Sequence, residues 1–241
     1  YCANNPMKFV DPTGEAWKPT TDENTGEYTG YQWIDPKESY NSDGSLKEGL
    51  YEQAIFFSNN GNFNDNSNNN IGSSTATVYA ADGTTSTFNA CINPSSSSYA
   101  TVPSGMYEAR VGLHKGDYPA LRMGDVGGSP RIELGQENPA YSDGRTYAQG
   151  INIHKAGKNN FTGIGRDGRA VSAGCLLIDR NSWCDFIGMF NNSEQKSNTV
   201  SITVSRTMSA PTNRNVSRTP IPIQIQPIQA DKTRVAPIIY K

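Results

Sequence analysis

Only two histidines, His114 and His154, and four cysteines, Cys2, Cys91, Cys175 and Cys184, occur in the 241 residues. Zinc sites gather several such ligands at close spacing. No such group occurs here, and neither HExxH nor CxxC is present, so no metal and no cofactor is expected. The absence of GxxxxGK[ST] removes the P-loop class of nucleotide binders. No apolar run nears the roughly 18 residues that a helical membrane span needs. No charged-then-apolar secretory signal opens the chain, so if the protein leaves its cell, something else is expected to carry it. Charge is also sparse: 21 Lys and Arg stand against 23 Asp and Glu, a net charge of −2. Nucleic-acid binders must offset phosphate charge, so no nucleic-acid partner is expected, and a nuclease or nucleotide-modifying activity ranks behind the readings below. Hydrophobic residues are 35% and charged residues 18%, both below the globular share. Such a chain lacks the Ala, Leu, Glu and Lys of a helix bundle, and short strands joined by turn-rich loops are expected instead.

What is present is mostly strand signal. Thr77 to Ala81, then Asp82-Gly83, then Thr84 to Ile92 predicts a hairpin, with Asp-Gly supplying the positive-φ turn. From Met106 to His114 the period is two: Tyr107, Ala109, Val111 and Leu113 share one face, and Glu108, Arg110 and His114 the other. Arg131 to Leu134 is a short strand candidate. Gly150 to His154 is another, with Ile151 and Ile153 inward and Asn152 and His154 outward. Leu176-Leu177-Ile178 is a short apolar run. Trp183, Phe186, Ile187 and Phe190 fall on one helical face, and Ser182 with Asp185 three residues on suits the start of that helix. Cys184 falls within it and is expected to pack in the core. Thr199 to Ser205 alternates Val200, Ile202 and Val204 with polar residues, again a strand.

The flanks differ. Residues 15–57 carry Trp17, Trp33, Tyr28, Tyr31, Phe56 and Phe57 among acidic and turn residues and are expected to be a partly ordered lead-in. Residues 58–74 are rich in Asn, Ser and Gly, the composition of a linker or mobile loop. The tail, 209–241, holds five prolines and the run Ile221-Pro222-Ile223-Gln224-Ile225-Gln226-Pro227-Ile228. It reads as an extended edge segment or polyproline-like arm, or as a flexible tail.

The opening Tyr1-Cys2-Ala3-Asn4-Asn5-Pro6 through Asp11-Pro12-Thr13-Gly14 resembles the closing motif of the RHS repeat-associated core. In that family the motif stands where the RHS shell ends and a variable C-terminal toxin begins. The resemblance implies self-cleavage near the motif, with Asp11 the candidate; the second Asp-Pro, Asp35-Pro36, lacks the following Gly.

The chemistry-bearing segment is Gly150-Ile151-Asn152-Ile153-His154 followed by Val171-Ser172-Ala173-Gly174-Cys175. A histidine leaves the polar face of a strand, and a cysteine follows a small-residue turn twenty-one positions later. A thiol reacts as thiolate, and an imidazole can take its proton. Glycine before the nucleophile lets substrate approach and lets backbone N–H groups face the reacting carbonyl.

At these residues the chain resembles the L,D-transpeptidase (YkuD-type) catalytic domain, with its Ile-His followed by Ser-x-Gly-Cys. Ile153-His154 and Ser172-Ala173-Gly174-Cys175 carry the match, supported by Ile164-Gly165 and by Val102-Pro103-Ser104-Gly105-Met106-Tyr107. The likeness spans roughly residues 75–205. Two features depart from the family: Leu177 stands where an Arg is common, and the segment between His and Cys is longer than usual.

The resemblance implies a mixed β-sandwich or partial barrel with one short helix after the cysteine. It implies Cys175 as nucleophile toward a meso-diaminopimelate–D-Ala bond of a peptidoglycan stem peptide and His154 as base. A backbone carbonyl near Ser172 would orient the imidazole, and the Gly174 and Cys175 amides would hold the oxyanion. Arg166 and Arg169 are candidates to replace the missing cation, and His114 and Tyr107 are further substrate-binding candidates.

The expected organisation is therefore an RHS remnant (1–14), lead-in and linker (15–74), catalytic domain (75–208) and tail (209–241). The expected function is a secreted antibacterial effector, delivered through a type VI-like apparatus with its RHS shell. It would act in the periplasm of the target and be neutralised by a cognate immunity protein. The alternatives are a non-catalytic wall- or partner-binding module of the same fold, and a cysteine peptidase with a protein substrate.

Overall fold

The structure, a computed structural model, describes residues 16–59, 74–94, 98–124, 131–158, 172–190 and 199–206. In chain order these form β1 (Ala16–Thr21), β2 (Tyr28–Ile34), a single helical turn α1 (Pro36–Ser39), β3 (Ala54–Asn59), β4 (Ser74–Tyr79) and β5 (Thr85–Cys91). There follow β6 (Gly105–His114), β7 (Tyr118–Met123), β8 (Arg131–Glu133), β9 (Tyr147–Gln149), β10 (Asn152–Lys155) and β11 (Leu176–Ile178). Last come a 3₁₀ turn (Arg180–Ser182), α2 (Trp183–Gly188) and β12 (Thr199–Ser205). The opening motif with Asp11, the linker over 60–73, Ile164-Gly165, Arg166, Arg169 and the tail all lie outside the described residues.

The protein is mostly β. Eight strands close into a barrel in the order β10-β11-β5-β4-β3-β12-β6-β7, with β7 pairing back onto β10. The pairs β10–β11 and β12–β3 are parallel and the other six antiparallel. The expected sandwich or partial barrel is thus corrected to a closed barrel. Closure joins the two outer strands of this sheet and so removes its free edges, while β1–β2 and β8–β9 form separate two-stranded sheets. An eight-stranded barrel is just wide enough for side chains to fill, and here Ile55, Phe57, Val78, Leu121, Met123, Ile153, Leu176, Ile178, Val200 and Ile202 do so.

The predicted strands and turn are in place. Between β4 and β5, Gly83 adopts φ +78° and donates to the Ala80 carbonyl, while the Asp82 carboxylate accepts from the Thr84 amide at 2.9 Å. The helix presents Trp183, Phe186 and Ile187, with Phe190 just beyond it, to the barrel core. Its entry differs from expectation. Ser182 makes no capping bond, and Asp179 instead accepts from the Asn181 amide at 2.8 Å to start the preceding 3₁₀ turn. Cys184 is exposed and disulfide-bonded rather than packed inside. Leu113, expected on the apolar face of its strand, is 54% exposed, and β12 pairs with β6 only as far as Arg110.

The barrel also reaches back past the expected boundary at residue 75. β3 is a central strand, buried on both faces. Ile55 and Phe57 point into the barrel, whereas Ala54 and Phe56 join an outer cluster with Trp17, Tyr31 and Tyr79. The lead-in is the cover of that outer face. β1 and β2 form a separate antiparallel pair. Trp17 lies 4.4 Å from Trp33 and 4.9 Å from Tyr79 between ring centroids, and its indole N–H donates to the Ala80 carbonyl at 2.8 Å. The cover explains why Ser201 and Thr203, on the polar face of β12, are fully buried: both hydroxyls bond to the phenol of Tyr31, at 2.8 and 2.6 Å.

Replacing Tyr31 by Phe leaves two buried hydroxyls short of a partner. The expected loss is about 1–3 kcal/mol of stability, read as a lower midpoint of urea unfolding with an unchanged slope.

Candidate functional site

Alternation places the site residues. Leu121, Ile153 and Leu176 point into the barrel, so Asn152, His154 and Cys175 project from the opposite, outward face of the same strands. Ile153 is in register with Leu176 and His154 with Leu177, which puts Cys175 beside Asn152. His154 and Cys175 are then diagonal neighbours on one face, with backbones offset by about 7 Å along the strands. On the far side, the turn Lys115-Gly116-Asp117 reverses the chain, with Lys115 at φ +51° and Gly116 at φ +77°. That turn sets Tyr118 opposite His114.

The two imidazoles stack, with centroids 4.2 Å apart and planes 28° from parallel. Nδ1 of His154 lies 2.8 Å from the carbonyl oxygen of Lys155 and 3.2 Å from the Tyr118 hydroxyl. A carbonyl can only accept, so Nδ1 of His154 carries the proton and Nε2 keeps its lone pair. Lys155 also places its ammonium 4.0 Å from the centre of the Tyr118 ring, and Trp183 meets that ring edge-on. Burial holds the His154 pKa down to about 4, against the opposing pull of the Lys155 carbonyl bond. His114 is lowered as well, first by burial and then by Lys115.

The thiol of Cys175 is partly exposed. Its Sγ accepts from the Asn152 amide at 3.5 Å and lies 3.9 Å from the Gly150 carbonyl. Burial raises its pKa, with the Asn152 amide working against the rise, so the resting sulfur is a neutral thiol. Among the described residues no hydrogen bond joins Sγ to either imidazole.

The turn before the cysteine is built on Ser172 and Gly174. The Ser172 hydroxyl donates to the Cys175 carbonyl at 2.7 Å and accepts from the Gly174 amide at 3.2 Å. Gly174 has φ +117°, and a Cβ there would stand 2.8 Å from the Ala100 carbonyl oxygen. Two expectations are corrected. The carbonyl that orients His154 belongs to Lys155 rather than to the neighbourhood of Ser172. The Gly174 amide is bound by Ser172 instead of facing the groove.

Tyr107 is also displaced from the site. It lies at the other end of β6, seven residues from His114, and bonds to the Pro103 carbonyl at 3.0 Å while packing against the barrel core. Leu177 is buried with Cys91 and Ala156, so its position supplies no cation. Sequence reasoning passed over Tyr118 and Lys155 and gave Asn152 no role. The signal for Tyr118 was the Lys-Gly-Asp turn that returns it to His114.

No family model, curated protein or solved structure matches this chain.

Two outcomes follow from this geometry. Gly174→Ala meets both the positive φ and the Ala100 carbonyl, and is expected to lower the midpoint of thermal unfolding by several degrees. Because His154 is held neutral at a half-buried position, the unfolded chain binds its proton more readily. Stability should fall as pH drops from the ordinary histidine value of 6.5 toward 4, by on the order of 2–3 kcal/mol at most. Unfolding curves of His154→Gln across that window should be flatter than those of the wild type.

Proposed function

We propose that this protein is a cysteine acyltransferase acting on peptidoglycan stem peptides, with Cys175 as nucleophile and His154 as general base. The observation that carries this reading is the partly exposed thiol on the same barrel face as a neutral imidazole whose Nδ1–H is held by the Lys155 carbonyl. That arrangement leaves Nε2 unprotonated, with its lone pair free, at neutral pH, and no carboxylate is needed to set the tautomer.

In the reaction, Nε2 of His154 takes the proton as Sγ bonds to the carbonyl carbon of the meso-diaminopimelate–D-Ala bond. The tetrahedral intermediate collapses with cleavage of the C–N bond, and the imidazolium returns its proton to the departing amine. Attack of water on the thioester gives carboxypeptidase action. Attack of an amine gives a cross-link or an exchanged D-amino acid. The raised thiol pKa favours concerted proton removal over a resting thiolate–imidazolium pair.

The RHS-like opening motif supports delivery with an RHS shell through a type VI-like route into the periplasm of a target bacterium, with a cognate immunity protein protecting the producer. Trimmed or capped stems would deprive the target wall of cross-linking donors. One observation favours the second reading, a wall-binding module of the same barrel: the thiol and imidazole are not hydrogen-bonded to each other at rest.

Incubation of purified sacculi with the protein, followed by mass spectrometry of muropeptides, decides between them. Shortened or exchanged stems are expected with the wild type, none with Cys175→Ala, and a loss of about 10²–10⁴-fold in rate with His154→Gln. Unchanged muropeptides with wild-type protein that still binds sacculi would establish the binding module instead.

A further inference from the structure

We infer that His114 is a second catalytic imidazole, a neutral ring that donates its Nε2–H to the oxygen of the carbonyl under attack. The inference deepens the acyl-transfer reading above and rests on it.

The tautomer follows from Asn152. Its side-chain Nδ2 lies 2.9 Å from the Gly150 carbonyl oxygen. Only a donor fits against a carbonyl, so the orientation of this amide is decided. The same Nδ2 lies 3.4 Å from Nδ1 of His114. An amide nitrogen can only donate, so Nδ1 of His114 accepts and its proton sits on Nε2. His154 has the opposite tautomer, because its Nδ1 faces the Lys155 carbonyl. The stacked rings therefore offer unlike groups: a lone pair on Nε2 of His154 and an N–H on Nε2 of His114.

Asn152 also ties this pair to the nucleophile, since its backbone amide donates to Sγ of Cys175. Of the two amides expected to hold the oxyanion, that of Gly174 is turned to the Ser172 hydroxyl, which leaves the Cys175 amide and a role for a second donor beside it. Burial and the neighbouring Lys115 keep His114 neutral at neutral pH. A neutral imidazole can stabilise negative charge as a hydrogen-bond donor without giving up its proton. As the S–C bond forms, the carbonyl π pair moves onto oxygen and the His114 N–H bond shortens its contact without breaking. The thiol proton goes to His154. When the C–N bond breaks, the pair returns from oxygen and the amine takes the proton from His154.

The test measures kcat and KM on a purified tetrapeptide muropeptide for the wild-type chain, His114→Ala and His114→Gln, each checked for wild-type circular dichroism. His114→Ala is expected to lose about 10²–10³-fold in kcat, with KM within about threefold. His114→Gln, which keeps an N–H donor, should recover part of that loss. Independently, ¹⁵N NMR of the labelled protein should find His114 protonated on Nε2 and His154 on Nδ1. A His114→Ala enzyme within about threefold of wild-type kcat, or a His114 ring protonated on Nδ1, overturns the role of His114 and leaves the Cys175–His154 reading intact. A wild-type protein without turnover removes that underlying reading, and this role with it.

Discussion

Side-chain alternation across a closed sheet is the constraint on which the rest depends. Each barrel strand must give one set of side chains to an interior with no room for water or for unpaired polar groups. Once Leu121, Ile153 and Leu176 are committed inward, the outward positions of β7, β10 and β11 have no freedom of face. A one-residue slip in β10 would exchange Ile153 for His154 and bury an imidazole among hydrocarbon. The same packing that stabilises the fold therefore holds the thiol, the two imidazoles and Asn152 together.

The outward face is not uniformly wet, and this tunes the chemistry. Neighbouring rings take much of the water from His154, so it stays neutral far below the ordinary histidine range. Cys175 is held as a thiol by the same loss of solvent. The pair thus rests uncharged, and charge separation is deferred until a carbonyl is present to receive the sulfur. Main-chain carbonyls do the orienting that carboxylates do in many other cysteine sites: Lys155 for His154, and Gly150, through Asn152, for His114.

A second constraint operates on the opposite flank. β3 and β12 are buried on both faces because the β1–β2 pair lies over them. The aromatic residues of the lead-in were visible as Trp17, Trp33, Tyr28 and Tyr31, but their purpose was not, because a cover strand follows no rule of local periodicity. Gly30 shows the tightness of the fit: a Cβ there would stand 2.7 Å from the Tyr79 hydroxyl. Ser201 and Thr203 read as solvent-facing in the alternating pattern of β12, yet they bond to a phenol 170 or more residues away in the chain.

Local pattern alone determined the mostly β character, the Asp-Gly hairpin, a strand carrying Ile153 and His154 and the apolar face of α2, because period and turn chemistry act over a few residues. It also singled out Cys175 and His154, through a glycine-preceded thiol and a histidine on the polar side of a strand. Only the tertiary structure decided that the sheet closes, that β3 belongs to it, that Lys155 and Asn152 set the imidazole tautomers, that Gly174 spends its amide on Ser172, and that Tyr107 lies far from the thiol. Those facts depend on strand order and register between distant segments. They arise when the whole chain buries its apolar faces at once, and no short window of sequence contains them.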